Sequence, residues 1–158
     1  MNVSGFSVPI DDRYFEDYRE GSVFTFGPIE VEESEVISFA ERFDPQTIHT
    51  DPAKAAAGPF GGLIASGWHT ASLMMRLFVD NYLSAVASLA SPGVDELRWL
   101  RPVRPGDQLR LRVSVLETKP SRSKPDRGMV VSLLEALNQS GEVVFSLKAM
   151  NLLAKRRA

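Results

Sequence analysis

Hydrophobic and polar residues alternate with a period of two along four stretches in the second half of the chain. The alternating stretches are 97–99, 109–115, 129–137 and 143–153. A period of two predicts β-strands with one buried face. Residues 104–107 and 138–141 carry the proline, glycine or asparagine that is typical of turns. Because short connections join antiparallel strands, we expect these four strands to form an antiparallel meander.

The first half of the chain combines one strand with a helical pattern. Residues 23–26 are strand formers, and Gly27-Pro28 is expected to end that strand. Hydrophobic residues then recur at the i, i+3, i+4 and i+7 positions of an amphipathic helix, namely Val36, Phe39, Ala40 and Phe43. This helix should end near Phe43, because Asp44 precedes Pro45 and a residue before proline disfavours the helical conformation.

The longest apolar run extends from Leu63 to Val79, and Arg76 is its only formal charge. Apolar and small residues occupy nearly all of its faces, which predicts a largely buried helix that begins after Gly61-Gly62. The small, weakly polar residues 84–93 are expected to form a connection or an extension of this helix. One buried helix and an antiparallel sheet define the α+β class, most simply with the sheet wrapped around the helix.

Composition narrows the classes of function. A chain of 158 residues with ordinary composition predicts a single domain over 1–158, in which residues 1–21 form an N-terminal arm. The absence of cysteine excludes disulfides, thiolate metal sites and cysteine nucleophiles. The net charge of −2 gives no reason to expect nucleic acid as a partner. No stretch has the length of a membrane span and no secretory-type segment is found, so we expect a cytoplasmic protein without a membrane partner.

Asp44 and His49 are the first candidates for chemistry, since they lie five residues apart just beyond a predicted helix end. A carboxylate and a histidine can hold one water between them and transfer protons to and from it, because histidine titrates near neutral pH. The alternative is an Asx turn at Asp44 and a surface histidine beside a short helix. The spacing alone leaves both interpretations open. A two-histidine metal site is not expected, because His49 and His69 lie on separate elements.

The glycines before the apolar run are the second candidate. Backbone N–H groups of Gly61 and Gly62 at a helix N-terminus could polarise a carbonyl oxygen, or the glycines could simply permit a tight turn. Ser66 could hydrogen-bond a group of the site or allow close packing. Gly67 indicates close approach by the sheet or a ligand, because glycine costs a helix about 1 kcal/mol relative to alanine. His69 is better interpreted as a buried histidine with its own partner.

Together these residues resemble the MaoC-like acyl dehydratase family, the hot-dog-fold group that contains (R)-specific enoyl-CoA hydratases. The resemblance covers about residues 21–153. The residues that match the family pattern are Asp44, His49, Gly61 and the pair Ala65-Ser66. Two positions depart from it. The chain has Gln46-Thr47 where the family commonly has Asn-Pro, and Phe60 where a histidine often precedes the matching glycine.

The resemblance implies a hydro-lyase of fatty acid metabolism that acts on trans-2-enoyl-CoA or 3-hydroxyacyl-CoA thioesters. Asp44 and His49 would bind the catalytic water, with Asp44 as its base. Phe60, Gly61 and Gly62 would lie against the substrate, and Ser66 would support the site. The family works without a metal or redox cofactor, so coenzyme A would enter only as part of the substrate. It forms dimers in which the long helices pack face to face near the sites.

Two other functions stay open at this stage. A hot-dog thioesterase would use the same fold to hydrolyse the thioester, and a non-catalytic protein would only bind acyl-CoA. The segment 119–128 carries four cations against one anion. It could bind the phosphates of coenzyme A, or it could be a solvated hairpin connection.

Overall fold

Five strands and one long helix form the core of the computed structural model, which describes residues 5–157. Two 3₁₀ turns, Ile10–Asp12 and Phe15–Asp17, precede them. The strands are β1 (Val23–Glu30), β2 (Ser88–Trp99), β3 (Gln108–Pro120), β4 (Arg127–Leu137) and β5 (Val143–Ala154). The helices are α1 (Glu33–Phe43), α2 (Thr47–Thr50), α3 (Pro52–Ala57) and α4 (Gly67–Asn81).

The strands form one antiparallel sheet in the order β1-β3-β4-β5-β2. β3, β4 and β5 are neighbours, as the meander prediction requires, with Val113 opposite Leu134 and Leu134 opposite Leu147. The prediction was wrong for β2, which pairs with β5 rather than β3 and lies at the far edge of the sheet. Periodicity identifies strands but does not determine which strands pair, and the connection after β2 leads across to the other side of the meander.

The apolar face of the sheet packs against α4. Leu73, Met74, Leu77 and Phe78 of this helix join one buried cluster with strand residues that include Leu111, Val113 and Leu134. Burying one such side chain contributes about 1.5–3 kcal/mol to stability, so this contact stabilises the fold substantially. A long helix enclosed by an antiparallel sheet is the predicted α+β, hot-dog architecture, which the structure confirms.

The long helix begins later than predicted. α4 starts at Gly67, and residues 63–65 form a buried non-helical segment before it. Within that segment Ile64 N–H donates to the Ile48 carbonyl and Ala65 N–H donates to the Val103 carbonyl. These long-range bonds keep the segment extended. The helix is also less buried than expected in the single chain, because three apolar side chains are exposed along it, Trp68, Met75 and Val79.

Two other predicted boundaries and one predicted burial were wrong. β1 continues past Gly27-Pro28, because a shift in register between Phe26 and Ile29 leaves the two residues outside the ladder. Residues 88–93 belong to β2, whose pairing with β5 is irregular at three places and therefore shows little alternation. Phe43 ends α1 as predicted but is 61% exposed, so it does not belong to the buried stripe.

The described part of the N-terminal arm packs onto the domain, as expected. Phe15 and Tyr18 lie in the buried cluster. Buried Arg13 donates to the carbonyl oxygens of Asn81 and Tyr82, at 2.7 and 3.0 Å. The arm therefore satisfies backbone acceptors that the C-terminus of α4 would otherwise leave unpaired. Residues 1–4 of the predicted arm lie outside the described residues.

Candidate active site

Asp44 and His49 face each other where α1 ends. Asp44 is the residue after α1, and the single turn of α2 carries His49 back toward it. The His49 Nε2 atom lies 3.3 Å from Asp44 Oδ2. His49 is 5% exposed and the Asp44 side chain 19%. The sequence anticipated the pair but missed α2, and His49 is a buried residue rather than the surface histidine of the alternative interpretation.

The hydrogen bonds of His49 determine its tautomer. Nδ1 lies 2.7 Å from the Ile64 carbonyl oxygen, and a carbonyl only accepts, so Nδ1 carries the proton. In the neutral ring Nε2 is then an acceptor that faces a carboxylate oxygen. Two acceptors at this distance are held together by a proton on Nε2, or by a water that donates one hydrogen to each. The pair is therefore built to bind a water or share a proton.

Asp44 accepts two further hydrogen bonds, one on each carboxylate oxygen. Gln46 Nε2 donates to Oδ1 at 2.7 Å, and Ser66 Oγ donates to Oδ2 at 2.7 Å. The bond from Gln46, then that from Ser66, holds the pKa of Asp44 below its usual value of 3.8, with a smaller contribution from His49 and against the effect of burial. Asp44 is therefore an ionised base at neutral pH. Ser66 bonds a group of the site, as one of its two interpretations predicted.

Gly61 and Gly62 do not lie at the start of the long helix, so the position predicted for them was wrong. Gly61 N–H donates to the Gly58 carbonyl at 3.2 Å, in a turn before the extended segment. The helix starts at Gly67, and the first-turn N–H groups of Gly67 and Trp68 have no acceptor within a helix. Ser66 is the N-cap residue, although its hydroxyl bonds Asp44 rather than the helix backbone.

Gly67 is required by the close approach of Trp99 from the end of β2. A Cβ added at Gly67 would overlap the indole ring, so no other residue fits without displacing Trp99. Trp99 also meets Trp68 edge-to-face, with ring centroids 5.0 Å apart. The predicted close approach of the sheet to Gly67 is thus confirmed, and the tryptophan pair was missed because nothing in the sequence links the two positions.

A cavity of about 390 Å³ opens beside the pair. Asp44, Gln46 and His49 line one side, and the helix start at Gly67 and Trp68 lines another. Phe60 also lines the cavity, whereas Gly61 and Gly62 are not among its lining residues. Arg104 fixes the Phe60 segment by donating to its carbonyl at 2.6 Å. The cavity therefore joins an acid–base pair and a helix N-terminus.

Two other predicted features lie apart from this cavity. His69 is buried on another side of α4, where Nε2 bonds Glu35 at 3.0 Å and the ring stacks on Phe39. Segment 119–128 comprises the end of β3, the connection and the start of β4, at the opposite end of β3 from the cavity. A strand of that length spans roughly 40 Å, so within one chain this segment does not reach the site.

Neither a metal-binding cluster nor a membrane-spanning helix is found in residues 5–157. Three or more histidine, cysteine or acidic side chains suited to one metal ion do not cluster anywhere in that range. None of its helices combines the length and apolar character needed to cross a membrane.

Comparison with known proteins identifies relatives along most of the chain. The chain is 31% identical to the uncharacterized protein YdeM of Bacillus subtilis over 89% of its own length and 98% of the relative's. It is 32% identical to the 3-hydroxybutyryl-CoA dehydratase of Methylorubrum extorquens, over 83% of the chain and 82% of the relative. The crystal structure of a MaoC-like dehydratase from Rhodospirillum rubrum superposes with a TM-score of 0.85 at 40% identity, covering 92% of this chain and 99% of that one.

The family model for the MaoC like domain matches residues 18–135, which is most of the chain and contains the whole Asp44–His49 loop and α4. The fold, the relatives and this match agree with the predicted resemblance. The chain therefore belongs to the MaoC-like dehydratase family.

Proposed function

We propose that this protein adds water to trans-2-enoyl-CoA thioesters, or removes it from 3-hydroxyacyl-CoA thioesters. The observation that carries the proposal is the His49 ring, whose Nδ1–H is held by Ile64 so that Nε2 faces Asp44 at 3.3 Å. The names of the relatives support a hydratase or dehydratase of acyl thioesters. We infer the substrate from the family and its relatives, and the mechanism from the geometry of the pair.

In the hydration direction, one water bridges Asp44 and His49. The water donates one hydrogen to the Asp44 carboxylate and accepts a hydrogen bond from Nε2–H of protonated His49, which leaves an oxygen lone pair free for the β-carbon. As the C–O bond forms, Asp44 takes that proton and the second hydrogen stays on the new hydroxyl, while His49 delivers its Nε2 proton to the α-carbon. The proton on Asp44 then returns to Nε2 across the 3.3 Å between them, which restores the pair. The reverse sequence expels water.

The thioester carbonyl needs a donor as charge moves onto its oxygen. We assign that role to the N–H groups of Gly67 and Trp68, in place of Gly61 and Gly62, because they stand at the positive end of α4 beside the cavity. One well-placed donor of this kind stabilises a transition state by about 3 kcal/mol. Ser66 supports the base through Asp44, and Phe60 contacts the substrate.

The proposal includes a homodimer and requires no cofactor beyond the coenzyme A of the substrate. Apolar side chains are exposed along α4 and β2, including Met75, Val79, Leu89 and Val94. Exposed apolar groups on neighbouring elements are typical of protein interfaces. A second copy that covers α4 and β2 would also border the cavity at Trp68. A cytoplasmic location remains the prediction from the sequence.

One assay separates hydration from the two alternatives. Purified protein is incubated with a series of trans-2-enoyl-CoA thioesters, while the conjugated double bond and free thiol are followed separately. Loss of the double bond without thiol supports the proposal, whereas thiol release identifies a thioesterase. Binding without either reaction identifies a non-catalytic acyl-CoA protein. Asp44→Asn and His49→Ala should lose most activity, and full activity in either would refute the assignment of the pair.

A further inference from the structure

A second cavity, of about 180 Å³, lies between α4 and the inner face of the sheet. Some of its lining residues are neighbours of residues that line the first. Thr70 lines the first cavity and the next residue, Ala71, lines the second. Trp99 lines the first, and its strand partner Phe145 lines the second. A ligand held at Asp44 and His49 would therefore find this space about one helical turn further along α4.

Asn151 is the anomalous residue of this second cavity. It lies at an inward position of β5 between Ala149 and Leu153 and is 6% exposed. Its Oδ1 atom has no hydrogen-bond partner among the described residues. A buried amide without a partner costs free energy, whereas valine or leucine would fill the same position without that cost. A hydrogen-bond donor that enters the cavity would pair with Asn151 Oδ1.

We propose, on the basis of the function proposed above, that the second cavity receives the acyl chain and that Asn151 binds a neutral polar group on it. The amide oxygen needs a donor, and a hydroxyl supplies one. The lining residue Ser91 is also polar, but its hydroxyl donates to the Gly93 carbonyl at 3.3 Å. Asn151 is thus the residue that recognises the polar group on the acyl chain.

The lack of a cationic lining residue disfavours an acyl chain that ends in a carboxylate. The residues that line it are apolar except for Ser91 and Asn151, and none of them is cationic. A carboxylate placed there would lose its hydration without gaining a counter-ion, and its charge would oppose the amide oxygen. The preferred substrate class is therefore a hydroxylated acyl thioester, ahead of a plain one and well ahead of one that ends in a carboxylate.

The test compares hydration of trans-2-hexenoyl-CoA with that of its 6-hydroxy derivative and of the matching acid, repeated with eight-carbon substrates. Wild type, Asn151→Val and Asn151→Thr are measured side by side, because valine and threonine share a shape and only threonine keeps a hydroxyl. In Asn151→Val the ratio of kcat/KM for hydroxylated over plain substrate should fall about tenfold, the effect of one hydrogen bond. Asn151→Thr should keep part of the preference.

A packing defect would lower both rates and leave that ratio unchanged. If wild type hydrates the plain substrate and the ratio is the same in all three proteins, the role of Asn151 is refuted while the proposed function stands. If wild type hydrates no substrate, the proposed function fails. The affinities for hexanoyl-CoA and 6-hydroxyhexanoyl-CoA then test whether Asn151 binds the hydroxyl group. Equal affinities then refute the inference, and a hydroxyl preference lost in Asn151→Val supports it.

Discussion

The clearest quantitative prediction concerns the Asp44 carboxylate and the Ser66 hydroxyl that donates to it at 2.7 Å. Ser66 is fully buried, so solvent cannot readily replace the bond when Ser66→Ala removes it. A hydrogen bond to a charged group contributes about 1.5–3 kcal/mol, and 1.36 kcal/mol corresponds to one pKa unit. Asp44 keeps 19% of its side chain exposed, which favours the low end of this range. We therefore expect Ser66→Ala to raise the pKa of Asp44, through the loss of about 1.5 kcal/mol of carboxylate stabilisation.

The sign of the pH effect follows from the direction of the native shift. The pKa of Asp44 is held below its usual value, so the active, ionised base persists to low pH and is lost as pH falls through that pKa. In Ser66→Ala the acidic limb of kcat/KM should therefore move to higher pH. At neutral pH Asp44 is still ionised in this variant. Ser66→Thr keeps the hydroxyl and is the control.

Carboxyl carbon NMR titration of Asp44 provides a readout that does not depend on turnover. It should show the same upward shift in Ser66→Ala and a smaller one, or none, in Ser66→Thr. An Asp44 titration that is identical in wild type and Ser66→Ala would refute the view that this hydroxyl stabilises the carboxylate.

Four further predictions address other parts of the structure. Gln46→Ala should also move the acidic limb of kcat/KM to higher pH, and an unchanged pH profile would contradict the role of the Gln46–Asp44 bond. Gln46→Asn should show whether a shorter amide reaches Asp44. Gly67→Ala should lose most activity, because the new Cβ displaces Trp99 and the helix start, which both line the cavity. Circular dichroism checks that the fold is kept. Arg13→Met should lower the free energy of unfolding in urea by about 3 kcal/mol, whereas the exposed Arg76→Met should change it by less than about 0.5 kcal/mol. Met75→Arg should convert the proposed dimer to monomer in sedimentation experiments, and a stable dimer would contradict an interface at α4.

The sequence was most informative where local chemistry decides the structure. The period-two stretches form strands β3 to β5, and the proline after Asp44 ends α1 as expected. The Asp44–His49 pair could be found because both residues lie in one short segment. The resemblance to the family then supplied the architecture that periodicity alone leaves open.

The predictions from the sequence failed where contacts between distant segments determine the structure. A pair of glycines before an apolar run favours a helix that starts directly after Gly62. The N–H groups of Ile64 and Ala65 instead bond carbonyls on other segments, and the helix starts only at Gly67. The pairing of β2 with β5 is similarly non-local, and its irregular register hides the alternation. Asn151 could not be recognised either, because an asparagine within a strand pattern gives no sign of the cavity it faces.

The contact between Trp99 and Gly67 joins the last residue of an edge strand to the first residue of the central helix. Through it, the position of the β2 edge determines where the first-turn N–H groups of α4 stand. A second copy bound along β2 would hold that edge in place and the carbonyl-binding donors with it. Assembly and turnover would then be mechanically linked, and dilution that separates the copies would reduce the activity of each chain even though Asp44 and His49 stay together.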